Sequence, residues 1–203
     1  MIEKTVVIFS SIILALTILA VSIFRGATPR YAFSPATPIP KSEAKEEMVE
    51  IDYQLPYPGK VIPGDFLWYP KVLRDKLQYL LSFTPQKKAE FNLLCANKRL
   101  GMALMLFENG KPDLAYSTLT KSEKYLENVF TNNPEDIQFL KELSNASLKH
   151  IQVIEQLLVP LSPEDLQPKV IESANKARNS YNKARDLLRS KGEVAPTNPF
   201  ESE

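Results

Sequence analysis

Proline most limits what this chain can become, because its ring fixes φ and its nitrogen has no hydrogen to donate. Sixteen prolines stand among 203 residues, and half of them (Pro29, Pro35, Pro38, Pro40, Pro56, Pro58, Pro63 and Pro70) fall between positions 29 and 70. That stretch is expected to be neither regular helix nor sheet. Further along, Thr84-Pro85, Lys111-Pro112, Asn133-Pro134 and Ser162-Pro163 each pair a boundary residue with a proline suited to a first helical turn. Acids follow closely at Glu90, Asp113, Glu135-Asp136 and Glu164-Asp165, where a helix N-terminus favours negative charge. Asn109-Gly110 and Gly192 supply C-terminal stops. Helices are therefore expected near 70–82, 85–108, 112–131, 134–159 and 163–191.

Apolar spacing agrees with this punctuation. Leu93, Ala96, Leu100, Ala103, Leu104 and Phe107 recur at helical intervals, and Phe91, Leu94, Cys95, Met102 and Met105 widen that face. Ile137, Leu140, Leu143, Ser147, Ile151, Ile154 and Leu158 form a second stripe. Val170, Ala174, Ala177, Tyr181, Ala184 and Leu188 alternate steps of four and three, a seam whose small residues permit close approach of another helix. No strand-like alternation competes after position 70. The expected fold is all-α, an antiparallel bundle of about five helices. The turn Gly110-Lys111-Pro112-Asp113-Leu114-Ala115 resembles a tetratricopeptide hairpin, but no second copy follows at the period a solenoid needs.

Thr5 to Phe24 carries no charge and is flanked by Lys4 and Arg25. As a helix, a run of this length covers about 30 Å, the hydrocarbon thickness of a bilayer. A cleavable signal peptide has a shorter apolar core ending in small residues. This run ends in Ile23-Phe24-Arg25, so an uncleaved single-pass anchor in the cell membrane is expected. Arg25, Arg30, Lys41 and Lys45 against Lys4 would place the following chain in the cytoplasm by the positive-inside rule.

Five segments result: a transmembrane anchor (1–25), a Pro-rich, acidic, disordered linker (26–52), an aromatic–proline lead-in strap (53–69), the bundle (70–191) and a disordered tail (192–203). The strap differs in kind from the linker, since Tyr53, Tyr57, Phe66, Trp68 and Tyr69 give it apolar surface to bury. It either packs on the bundle or offers that surface to a partner, as Trp, Tyr and Arg do at interface hot spots. The candidate partner-binding residues are Tyr57, Pro58, Trp68, Tyr69, Lys71, Arg74 and Asp75. The seam Ala174, Ala177, Tyr181 and Ala184 is a candidate self-association surface.

Known chemistries find little footing. A formal net charge of +1 is no footprint for nucleic acid. One Cys and one His exclude a thiolate zinc cage and paired-His metal motifs. The six glycines form no phosphate-cradling loop. No catalytic, cofactor or metal residue is assigned, and no small-molecule substrate is expected. Cys95 reads as a buried, inert thiol and His150 as a surface or boundary residue. Lys87-Lys88, Lys98-Arg99 and the Lys183, Arg185 and Arg189 group read as solvated faces, and no carboxylates pair in an apolar context.

The strings Tyr57-Pro58-Gly59, Lys71-Val72-Leu73-Arg74-Asp75, Pro85-Gln86-Lys87-Lys88-Ala89-Glu90 and Gly110-Lys111-Pro112-Asp113-Leu114-Ala115 come in that order. Over residues 53–130 this order resembles a bacterial domain family of unknown function whose members carry an N-terminal anchor. The resemblance implies a membrane-tethered helical domain outside the cytoplasm, against the Lys/Arg count, and it implies no activity. The expected function is non-catalytic: a scaffold, adaptor or sensor with a protein partner. The alternatives are a small envelope enzyme using carboxylates, or an inert spacer.

Overall fold

A computed structural model of the chain describes residues 51–201, together with Leu14. The anchor and linker expected over 1–25 and 26–52 lie outside the described residues. The described residues form five helices and no strand. We label them α1 (Trp68–Leu80), α2 (Pro85–Glu108), α3 (Pro112–Phe130), α4 (Ile137–Val153) and α5 (Gln167–Ser190). α4 runs on through a π-helical turn, Ile154–Leu158, into one last turn, Val159–Leu161. No helix among the described residues is long and apolar enough to cross a membrane.

Local chemistry sets the ends. Thr84 caps α2 by accepting a hydrogen bond from the Lys87 amide at 3.2 Å, with Pro85 in the first position. α2 closes on Gly110 in the left-handed region: the Gly110 amide donates to the Phe107 carbonyl and the Lys111 amide to that of Leu106. Gly192 closes α5 with the same pair of bonds, to Arg189 and from Glu193 to Leu188.

Three boundaries differ from expectation. α1 starts at Trp68, so Trp68 and Tyr69 belong to the helix and not to the strap. α4 starts at Ile137 rather than Pro134, because the Asp136 carboxylate accepts from the Phe139 amide at 2.6 Å and so defines the cap. Pro134 is instead buried in the preceding turn, next to Asn133 at φ 44°. α5 starts at Gln167 with Pro168 in its first turn, while Pro163 leads a separate turn whose carbonyl accepts from Leu166. The π turn falls just ahead of Pro160, which cannot donate to a carbonyl one turn back.

α2 packs chiefly on α3 and α4 chiefly on α5, and these two hairpins bury one shared core. Leu93, Leu100 and Leu106 of α2, Leu119 and Leu126 of α3, Leu140, Leu143, Ile151 and Leu158 of α4 and its continuation, and Val170 and Leu188 of α5 all belong to it. Burial on this scale contributes about 25 cal/mol per Å² of apolar surface removed from water. Polar clasps join the helices: Ser122 donates to the Ala96 carbonyl at 2.7 Å, and Asn92 to that of Asn128 at 3.1 Å. Glu123, a buried carboxylate with no local sequence signal, is paired with Lys176 across α3 and α5 at 3.0 Å. Arg178 pairs with Glu155 of the π turn.

Ala174, Ala177, Tyr181 and Ala184 are all buried within this chain. The seam is the face that α5 turns into its own bundle, where the missing side-chain bulk lets the helices approach. Residues 192–201, expected as a disordered tail, lie against the bundle. Tyr181 donates to the Pro196 carbonyl at 2.7 Å and Lys141 pairs with Glu193 at 2.6 Å.

Candidate functional site

The strap, residues 53–67, crosses α2 and delivers the chain to α1. Pro58 sits against Gly101 of α2, where an added Cβ would lie 3.4 Å from the Pro58 ring, so the strap rests close on the α2 backbone. Gly59 turns the chain at φ 92° and Gly64 at φ 99°, conformations that need glycine. Asp65 fastens the second turn by accepting from the Ile62 amide at 2.9 Å.

Lys71, on the first turns of α1, ties helix and strap together. Its ammonium donates to the Pro58 carbonyl at 3.1 Å and to the Val61 carbonyl at 2.9 Å. Burial, with lesser repulsion from Lys98, Arg99 and Arg74, brings its pKa down to about 8, against the pull of Asp75. Arg99 is itself buried, its guanidinium 4.4 Å from the Trp68 ring centre and 6.0 Å from that of Tyr125. Lys98-Arg99 is thus no solvated face: Lys98 is half-buried and Arg99 lies under Trp68.

Between α1 and α2 these groups line a small cleft of about 120 Å³. Trp68, Lys71, Arg74 and Asp75 come from α1; Phe91, Cys95, Lys98 and Arg99 come from α2. Four of the seven residues singled out from sequence are therefore brought together. Pro58 adjoins them through Lys71. Tyr57 is not among the lining residues, and Tyr69, 78% exposed, points away from the cleft. The α2 contribution went unread, although Phe91, Cys95, Lys98 and Met102 recur at helical steps on the face that Leu94 widens.

The lining carries four cations against one carboxylate, and that carboxylate is engaged: Arg74 donates to Asp75 at 2.8 Å. Burial pushes the Cys95 thiol up to about 12, so it stays protonated at neutral pH and is a poor nucleophile. Among the described residues no group of three or more His, Cys, Asp and Glu is placed to hold a metal ion. The arrangement suits holding and stacking rather than proton transfer.

His150, expected at the surface or a boundary, is fully buried. Its Nε2 lies 2.9 Å from Asn97 Oδ1, and Asn97 donates in turn to the Tyr53 hydroxyl at 2.7 Å. This chain of bonds links α4, α2 and the start of the strap. Burial lowers the His150 pKa to about 3, so the ring is neutral. With Asn97 presenting an oxygen, the ring proton sits on Nε2 and leaves Nδ1 a bare acceptor.

The family model described as a domain of unknown function, DUF5667, matches residues 60–164, just over half of the chain. The chain belongs to the DUF5667 family. Every residue of the cleft falls inside the DUF5667 match, as does the second half of the strap. The match ends before α5, the helix that completes the core under α4. No curated protein and no solved structure matches the chain.

Proposed function

We propose that the chain is a single-pass membrane-anchored helical-bundle protein that acts by binding at the membrane surface, as a scaffold or sensor, and performs no catalysis. The reading takes Thr5–Phe24 as the anchor and residues 26–52 as the spacer, with the bundle outside the cytoplasm as the family resemblance implies. One observation supports the binding role above others: no residue of α1 is buried, and the helix turns Tyr69, Leu73 and Leu80 outward. Apolar surface left together on one face is characteristic of interaction sites. The cleft chemistry accords with this, since its thiol and its carboxylate are both quenched.

The test is photo-crosslinking of the full chain in cells, with the reactive group placed at Tyr69 and, separately, at Asp186 on the exposed side of α5. Adducts from Tyr69 and none from Asp186 are expected. Equal yields, or none from either, would overturn a binding role for α1. A C-terminal topology reporter checks the side of the membrane.

A further inference from the structure

We infer that the outer face of α1 lies on an anionic lipid surface, as a second membrane contact beside the anchor. This rests on reading Thr5–Phe24 as that anchor.

Tyr69, Leu73 and Leu80 are spaced by four and seven residues, which puts them on one side of the helix. Phe66 and Leu67 ahead of α1, and Leu81 and Phe83 behind it, are exposed as well. Phe66 is 87% exposed, Leu80 72% and Phe83 84%. The inner side of the same helix is engaged with the bundle, through Trp68 over Arg99 and Tyr79 beside Phe91, the last two with ring centres 6.0 Å apart. The outer side meets nothing among the described residues that would explain its composition.

Charge indicates what covers it. Of the charged residues between 60 and 90, Lys60, Arg74, Lys76 and Lys87 are exposed, against exposed Asp65 and Glu90, while Lys71 is spent on the strap carbonyls. A chain that is nearly neutral overall thus concentrates a surplus of cations around its exposed apolar helix. Aromatic and leucine side chains on one face with Lys and Arg at the margins is the composition of a helix lying in the headgroup layer. Cations held near an anionic leaflet are attracted to it. A protein groove would be expected to supply acids to match these cations, whereas an anionic leaflet supplies them by its nature.

Connectivity permits it as well. With Thr5–Phe24 read as the anchor, α1 follows it in the same chain, separated from it by residues 26–67. Anchored at Phe24, the chain would keep α1 within reach of the leaflet at high effective concentration, so a weak interfacial helix would still be seated. Both faces of α1 then have a role: the inner one holds it to α2 and the outer one meets lipid.

The experiment uses the full chain reconstituted into vesicles, with Cys95→Ala removing the native thiol and a nitroxide on Leu73→Cys. Matching samples carry the label on Leu14→Cys or on Asp186→Cys. Vesicles are phosphatidylcholine alone or with a quarter phosphatidylglycerol. Collision with oxygen and with a water-soluble nickel chelate reports depth. In the anionic vesicles the label at 73 should gain oxygen contact and lose nickel contact, while the label at 186 stays in water. Arg74→Glu with Lys76→Glu, or omission of phosphatidylglycerol, should remove at least half of that effect. A label at 73 in water while that at 14 is lipid-buried overturns the inference and leaves the anchor standing. Labels at both 73 and 14 in water overturn both. Spin–spin broadening between chains at 73 means a second copy covers the face, which also overturns it.

Discussion

The Arg99 guanidinium lies 4.4 Å from the centre of the Trp68 ring, bridging the bundle and the helix that precedes it. This contact holds α1 in place together with the Lys71 bonds to the strap and the Tyr79–Phe91 ring contact. A cation over an indole in a partly buried setting contributes roughly 0.5–2 kcal/mol. Arg99→Ala should therefore uncover the ring without melting the core. Trp68 is the sole tryptophan, so its emission should move to longer wavelength while far-UV helicity changes little. Unchanged emission would mean that α1 is held by something else.

The two left-handed glycines Gly59 and Gly110 separate backbone strain from crowding. At Gly110, φ is 67° and an added Cβ meets nothing within 4 Å, so Gly110→Ala should cost about 1–2 kcal/mol from conformation alone. At Gly59, φ is 92° and the Cβ would stand 3.3 Å from Lys71 Nζ, against the group that fastens the strap. Gly59→Ala should chiefly raise protease cleavage within 53–67. Gly110→Ala should chiefly lower the thermal midpoint. Identical behaviour of the two in both assays would contradict this division.

His150 makes stability pH-dependent in acid. The unfolded chain binds a proton on this ring below about pH 6.5, whereas the folded ring does so only near 3. Between those values the unfolded state binds more protons, so stability rises with pH and falls on acidification. The slope from this one group is about 1.4 kcal/mol per pH unit. Denaturant titrations from pH 7 to 4 should show it, and His150→Gln should flatten that part of the curve even if it lowers stability throughout.

Ala177, 1% exposed on the inner face of α5, should not tolerate bulk. Ala177→Leu is expected to cost about 1–3 kcal/mol by overpacking. Ile171→Ala, on the outer side of the same helix, should change stability by no more than about 0.5 kcal/mol. Urea midpoints compare the two directly.

Proline punctuation made α2 legible because Thr84 and Pro85 act together, one accepting a hydrogen bond and the other lacking an amide to satisfy. It misplaced α4 and α5 because a proline serves equally well in a turn just outside a helix. There the decision passed to Asp136, whose carboxylate reached an amide, and to Pro168, both inside the expected helices. The α1 half of the cleft was legible from local composition. The α2 half was not: Arg99 reads as a surface cation until a ring from another helix lies over it, and His150 likewise until Asn97 and Tyr53 close around it. Contacts between distant segments leave no local pattern.

The bonds from Tyr53 through Asn97 to His150 have a mechanical consequence. Any pull arriving along the chain from its N-terminal side reaches Tyr53 before the rest of the strap, and is passed there directly to α2 and α4. The pull is thus met by α2 and α4 at Tyr53, ahead of α1 in sequence. A chain built this way can be pulled from its N-terminal side without the pull first reaching its most exposed helix.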